Sequence, residues 1–216
     1  MSIKLTGATS GSIELDVPAA VSGGDISLTL PNGVGSAGQV LKDSSTAGTL
    51  EFAQGGTILQ VKQTFVNTPG SQTITAKTLT DISNLSVDIT PKQSDSNMLI
   101  FVKWSGETND DNHKTVFGLK RDSTVIGSPA AAGNRLVGIS GLYQGYHTED
   151  NTSTQDAASY SFLDTGRTAG TTQITYKATI LNHSTVNVYN NRTVTNSDSD
   201  EHEHLASSIL VMEVAT

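Results

Sequence analysis

The longest apolar run of the chain is Met98-Leu-Ile-Phe-Val-Lys-Trp104. Alternate residues of a strand point to opposite sides of a sheet, so the even-numbered residues from Met98 to Trp104 are expected on one face. Leu99 and Phe101 are expected on the other face. Because both faces are apolar, the run predicts a central strand that is covered on both sides, in a two-layer or interface-buried architecture. It is too short to cross a membrane, and we expect no membrane insertion.

Shorter segments downstream of residue 56 also alternate apolar with polar residues and end at turn-forming residues. This pattern is typical of half-buried antiparallel strands, and no convincing amphipathic helix is present. The predicted strands are 58–65, 72–76, 85–90, 98–104, 115–121, 124–126, 160–163, 173–181, 186–189 and 207–214. Residues 57–216 are therefore predicted to form an antiparallel, jelly-roll-like β-sandwich in an all-β protein, with 127–134 and 141–158 as surface loops.

Residues 1–53 contain a repeated motif. Ser12-Ile-Glu-Leu-Asp-Val-Pro18 and Asp25-Ile-Ser-Leu-Thr-Leu-Pro31 align position for position at an offset of thirteen. Each copy ends at a proline, which cannot donate a hydrogen bond within a sheet, and each predicts a strand followed by a turn. Two further strands are predicted at 39–42 and 49–52. A segment of about fifty residues encloses little core, so we expect it to self-associate, with 54–56 as a hinge to the sandwich.

Charge and composition restrict the partners of the chain. Charged residues make up 16% of the sequence and the formal net charge is -8. Binding to phosphate groups requires clustered lysines and arginines, so we expect no nucleic acid partner. The chain has no cysteine, which excludes disulfides, thiol catalysis and cysteine-ligated zinc. The first residues run directly into an alternating pattern without a signal peptide, and we expect synthesis in the cytosol.

No motif of a known enzyme class occurs in the structural context that the motif requires. Gly33-Val-Gly-Ser-Ala-Gly38 matches the dinucleotide fingerprint G-x-G-x-x-G, but a strand pattern follows it where the fingerprint requires a helix. It predicts a glycine-rich turn, and we expect no organic cofactor. None of the five histidines lies in a nucleophile-elbow or zinc-protease motif. We therefore do not expect an enzyme.

The segment Asp198-Ser-Asp-Glu-His-Glu-His204 is the densest cluster of possible metal ligands. In an extended segment His202 and His204 point the same way. Two imidazoles make a weak site in one chain, but on the axis of a trimer they become six, enough for an octahedral transition metal, while the acids suit a hard cation. A solvated acidic loop explains the same composition.

The loop 141–158 is the predicted contact with a ligand or receptor. Tyr143, Tyr146 and His147 stand there among small polar residues. Such a mixture combines a few rigid aromatic anchors with adaptable hydrogen-bonding groups. A solvated connection between two strands, with the aromatic rings packed beneath it, is the alternative.

Several segments along the chain are similar to those of a known family. The N-terminal ones are Thr6-Gly-Ala-Thr-Ser-Gly-Ser-Ile-Glu-Leu15, Leu28-Thr-Leu-Pro31, Gly35-Ser-Ala-Gly-Gln-Val-Leu41 and Gly48-Thr-Leu-Glu-Phe52. The later ones include Met98-Leu-Ile-Phe-Val102, Gly118-Leu-Lys-Arg-Asp-Ser-Thr-Val-Ile-Gly127, Val188-Tyr-Asn-Asn-Arg192 and Ser207-Ser-Ile-Leu-Val-Met-Glu-Val214. Together they span almost the whole chain, which resembles structural proteins from the virions of marine and cyanobacterial tailed phages.

The resemblance implies a tail-fibre-like protein on the virion surface, present as a homotrimer. Residues 1–53 are then the virion-attachment and trimerisation segment, 54–56 the hinge and 57–216 the outward-facing knob. The implied partners are further copies of the chain, other virion proteins of the tail or capsid, and a glycan or protein on the host surface. The usual fibre is longer and has a shaft, so a capsid decoration or head-fibre protein with a mainly structural role fits the length as well.

Overall fold

A computed structural model describes residues 3–6, 12–15, 28–36, 39–46, 48–54, 58–109, 114–142 and 153–216. The chain divides into two compact units, Met1–Gly55 and Gly56–Thr216. Within the described ranges the regular secondary structure is β-strand, and no α-helix occurs. No helix in this part of the chain is therefore long and apolar enough to cross a membrane.

The first unit is built from two short antiparallel pairs. Strand β1 (Ile3–Thr6) pairs with β2 (Ser12–Leu15), and β3 (Gln39–Asp43) pairs with β4 (Leu50–Gln54). The second copy of the repeated motif forms no strand in its described part, where Thr29 makes an isolated parallel bridge to Thr49. None of the side chains in 28–36, 39–46 and 48–53 that the structure describes is buried. This part of the first unit has no core of its own.

In the described residues of the second unit there are eleven strands, and every pair between them is antiparallel. They are β5 (Ile58–Val66), β6 (Gly70–Ile74), β7 (Thr80–Ile89), β8 (Asn97–Thr108), β9 (Thr115–Arg121), β10 (Thr124–Ile126), β11 (Ser140–Gly141), β12 (Asp156–Asp164), β13 (Ile174–Asn182), β14 (Val186–Asn190) and β15 (Ser207–Val214). The bounds of β9, β10 and β15 are those predicted from the sequence.

Strand β8 is the centre of the larger sheet. Its first part pairs with β15 on one side and β12 on the other, and its last residues pair with β14. Beyond β15 lies β5, and beyond β14 lies β6, so the sheet has six strands. The predicted run 98–104 is the middle of a longer strand, and its central place in the sheet is confirmed.

The smaller sheet has the order β10-β9-β13-β7, with β11 also paired to β9. Its edge strand β7 packs against β5 and β15 of the larger sheet, and β11 contacts β12. The predicted all-β architecture with antiparallel sheets in a sandwich-like arrangement is therefore confirmed.

The core lies between the two sheets and is built from alternate residues of facing strands. Trp104 and Phe117 are both fully buried, and their ring centroids lie 5.0 Å apart. Tyr160 continues this aromatic contact, with its ring centroid 6.4 Å from that of Phe117. The remaining core positions are mainly isoleucine, leucine and valine. All of these residues belong to the second unit, which therefore has a core that does not depend on the first.

The two faces of β8 differ in burial. Met98, Ile100, Val102 and Trp104 all face the core and are at most 3% exposed. Phe101, on the other face, is 42% exposed. Further along the same face Ser105 and Glu107 are buried, and Glu107 accepts a hydrogen bond from the backbone N–H of Val194. In the single chain the outer side of β8 is therefore covered at its end only, and cover of Phe101 by an interface stays a prediction.

Candidate functional site

The predicted receptor-binding residues Tyr143, Tyr146 and His147 lie outside the described residues. The described chain ends before them at Leu142, which follows β11, and resumes at Ser153, just before β12. Their role stays a prediction.

The predicted metal ligands His202 and His204 lie in the connection between β14 and β15. His204 Nε2 lies 2.8 Å from the carbonyl oxygen of Asn67, and Glu203 accepts a hydrogen bond from the backbone N–H of Gln155. His202 Nδ1 is buried and has no hydrogen-bond partner within the described part of the chain. The two histidines border an open polar cleft of about 350 Å³.

This cleft does not gather a metal-binding set within one chain. Among the residues that the structure describes, no three histidine or carboxylate side chains lie close enough to hold an ion. A site on a trimer axis requires ligands from further copies, so the proposed role of His202 and His204 stays a prediction. Arg192 forms part of the cleft wall, and its guanidinium group lies 4.4 Å from the ring centre of Tyr189.

Trp104 is part of the core and cannot serve as a stacking surface for a sugar. It is fully buried, and its indole N–H donates a 2.7 Å hydrogen bond to Asn190 Oδ1. A Cβ added at Gly106 would lie 2.2 Å from the carbonyl oxygen of Tyr189 and 2.6 Å from the Trp104 ring. Glycine is therefore required for the close approach of β8 and β14 at this point.

The sequence reasoning did not identify Glu213 as a buried charge. Its carboxylate accepts hydrogen bonds of 2.6–3.0 Å from the backbone N–H groups of Lys92 and Gln93, the hydroxyl of Ser96 and the amide of Gln60. Burial alone would raise the pKa of Glu213, but these hydrogen bonds outweigh it and hold the pKa below its ordinary value. The carboxylate fixes the turn before β8 to the last strand, and its role is structural.

A second buried carboxylate, Asp164, is the last residue of β12. Arg121 Nη1 donates to both of its oxygens at 2.8 Å, and the Tyr176 hydroxyl donates to Oδ2 at the same distance. Burial and the neighbouring Asp164 raise the pKa of Tyr176. Nearby, Arg167 donates to the carbonyl oxygens of Gln93 and Gly170. Arg121 and Arg167 line a cleft of about 200 Å³. Both guanidinium groups donate hydrogen bonds to other groups of the same chain.

A broad surface available for binding is the outward side of the four neighbouring strands β5, β15, β8 and β12. Their registers place twelve side chains on it in three rows, and we call this set the outer face. The first row is Val61, Met212, Leu99 and Leu163; the second is Gln63, Leu210, Phe101 and Ser161; the third is Phe65, Ser208, Lys103 and Ser159. All twelve are exposed or half-buried.

The outer face is apolar and almost uncharged. Seven of its twelve residues are large and apolar, and Lys103 is the only charged one. Phe65 is 62% exposed, the highest value of the seven. Contiguous exposed apolar surface of this kind marks an interaction site on a folded protein, whereas scattered exposed apolar residues need no explanation.

The outward surface of the smaller sheet is different. Asp81 lies between two lysines there, 2.6 Å from Lys120 Nζ and 3.4 Å from Lys177 Nζ. Burial alone would raise the pKa of Asp81, but the two lysines outweigh it and lower the pKa. Thr175 donates a 2.7 Å hydrogen bond to Asp88 on the same surface. This sheet therefore presents a charged surface suited to water, in contrast to the outer face.

A scan against protein-family models finds none that matches this chain, and a search of curated proteins finds no similar one. The functional argument therefore depends on the residues and their geometry. The geometry provides two kinds of surface, a first unit with exposed apolar side chains and a mainly apolar outer face on the sandwich. Both are suited to binding other macromolecules.

Proposed function

We propose that this chain is a fibre protein of a tailed-phage virion, mounted through its N-terminal unit and presenting the β-sandwich for attachment to the host surface. The observation that carries the proposal is the contrast in burial between the two units. In the first unit, Leu28, Leu30 and Val34 are each more than half exposed, whereas the second unit packs a continuous core of its own. A segment that cannot bury its apolar residues alone is suited to docking into a larger assembly.

The finer features of the proposal are a homotrimer and a jelly-roll-like sandwich. Trimeric assembly is supported by the exposed apolar side chains of the first unit, since association of copies gives them a place to be buried. The crossover between sheets supports the jelly-roll-like description: β7, β9 and β13 pair in one sheet, while β8, β12 and β14 pair in the other. The chain therefore alternates between layers along the sequence.

Removal of residues 1–53 tests the mounting role. The shortened chain is expected to fold, because every buried core residue of the sandwich lies between Ile74 and Val211, and to be absent from assembled particles. Incorporation is measured by complementing a phage that lacks the gene and probing the purified particles for the chain, with the full-length chain as the control. A folded, shortened chain that still enters particles contradicts the proposed mount.

Replacement of Tyr143 and Tyr146 together by alanine tests host attachment. We expect adsorption to host cells to fall at least about tenfold, since rigid aromatic anchors dominate many contacts, while the melting temperature stays within about 2 °C of wild type. The matched control is Tyr189→Ala, which removes an aromatic side chain from β14, outside the sequence range 141–158. Adsorption that survives the double replacement favours a capsid decoration or head-fibre protein with a mainly structural role.

A further inference from the structure

We infer that the outer face is the surface on which further copies of this chain pack, so that β5, β15, β8 and β12 of the three subunits line the three-fold axis of the trimer. This inference deepens the proposed function and depends on its homo-oligomeric form. It assigns to particular residues of the sandwich an association that the sequence alone attributes only to residues 1–53.

The first argument is the contrast between the two sheets. Strands of an antiparallel sheet that face water on one side carry polar and charged residues there. The smaller sheet follows this rule, with Asp81 paired to Lys120 and Lys177. The larger sheet does not, because its outer face aligns Leu99 with Met212 and Phe101 with Leu210 at its centre. Of the two sheets, the larger one therefore has an outward surface with the composition of a protein interface.

The second argument is charge. The chain carries a net charge of -8, so two copies repel each other wherever acidic surfaces meet. None of the twelve outer-face residues is an aspartate or glutamate, although the chain has 21 of them. Loss of charged residues also distinguishes the centres of protein interfaces from other surface. The outer face is thus a region where a second acidic copy can approach at little electrostatic cost.

The third argument is size. Four strands about 4.8 Å apart, each rising about 3.3 Å per residue across three rows of side chains, give a projected surface of roughly 19 by 20 Å. This is about half of the roughly 800 Å² that each partner contributes to a stable interface. The outer face is therefore large enough to form the apolar centre of a contact between copies. A sugar ligand fits this surface less well, because the central quartet of Leu99, Met212, Phe101 and Leu210 offers no hydrogen-bonding side chain.

Phe101→Glu in the full-length chain is the first test. Phe101 is 42% exposed in the single chain, so the fold tolerates the change while the added charge opposes contact between copies. The matched control is Val125→Glu on the edge strand β10 of the other sheet, where the side chain is 46% exposed. Sedimentation equilibrium at micromolar concentrations should show oligomers for wild type and control. For Phe101→Glu the dissociation constant should rise at least about 30-fold, as on loss of one dominant interface residue.

A thiol footprint gives a second readout that does not depend on disrupting the assembly. The chain has no cysteine, so Ser161→Cys on the outer face and Ser123→Cys in the exposed β9–β10 turn each introduce a single reactive group. Ser161→Cys should react with a maleimide at least about tenfold more slowly than Ser123→Cys at micromolar concentration. Dilution to monomer should remove the difference.

The outcomes separate the inference from the proposed function. Oligomers of Phe101→Glu together with fast labelling of Ser161→Cys overturn the outer face as the contact between copies, and leave the mounting role to be judged by the particle experiment. An oligomer with a freely labelled outer face points instead to a foreign protein as its partner. A wild-type chain that is monomeric at tens of micromolar overturns both the inference and the homo-oligomeric form of the proposed function.

Discussion

Trp104→Ala is expected to lower the free energy of unfolding by about 3–5 kcal/mol, the usual cost of truncating a large buried aromatic side chain. The indole ring is fully buried and contacts Phe117, and its N–H donates to Asn190. The change therefore creates a cavity and also leaves the Asn190 amide oxygen without this donor. Chemical denaturation at fixed protein concentration measures the loss.

The control for this prediction is Val125→Ala, an exposed position on the edge strand β10, which should change stability by less than about 0.5 kcal/mol. Trp104 is the only tryptophan of the chain, so wild-type emission reports this site alone. It should be blue-shifted and resist quenching by iodide. A readily quenched tryptophan, or a loss below about 1 kcal/mol for Trp104→Ala, contradicts the buried position.

Glu213→Gln is expected to have the second largest effect, a loss of about 3 kcal/mol at pH 7. The amide can keep one oxygen in the place of Oε1, which accepts from Lys92, Gln93 and Ser96. Its NH₂ group then replaces Oε2 and faces the Gln60 side-chain amide and the Lys92 N–H, which now donate to that oxygen. Buried donors that lose their acceptor cost about 1–3 kcal/mol each. Glu201→Gln, at an exposed position in the β14–β15 connection, is the control and should be neutral.

The effect of Glu213 depends on pH in a definite direction. Its pKa in the folded protein is lower than the ordinary value of 4.5, so the folded state binds fewer protons than the unfolded state as the pH falls toward that range. The stabilisation is fully present above about pH 4.5 and is lost as the pH falls through the folded pKa. Unfolding free energies of wild type and Glu213→Gln should therefore converge between pH 7 and pH 3. A constant difference across this range contradicts the proposed role of the ionised carboxylate.

Much of the sandwich could be predicted from the sequence because each strand buries one face. The parity of Met98, Ile100, Val102 and Trp104 correctly identified the core-facing side of β8, since alternation is a property of a single strand. Pairing is different, because it joins residues far apart in the chain. Nothing local in β15 indicates that it lies between β5 and β8.

Two features of the fold do not follow from the alternation of apolar and polar residues, for physical reasons. The second copy of the N-terminal motif alternates like the first, but in the described residues Thr29 forms only an isolated bridge. Alternation favours the extended conformation without supplying a partner strand. The apolar outer side of β8 predicts cover by a second layer or by an interface, and in the single chain Phe101 is exposed. An apolar pattern shows that a surface prefers burial, and it does not say whether the cover comes from the same chain.

The burial of Glu213 could have been predicted from its position in β15. It has the same parity as Ile209 and Val211 in β15, which places its side chain on the core-facing side of the strand. A carboxylate at such a position requires several hydrogen-bond donors. The sequence could therefore have predicted a buried acid, but not its donors, because Lys92, Gln93 and Ser96 lie more than a hundred residues earlier.

The proposed role as a virion fibre is tested most directly by an image reconstruction of purified tailed-phage particles that carry the chain. We predict density for three copies at a fibre on the particle surface, with the unit Met1–Gly55 at the attachment point and the sandwich directed outward. Absence of the chain from purified particles contradicts the account, as does a position in which the sandwich is the attachment point and the first unit is directed outward.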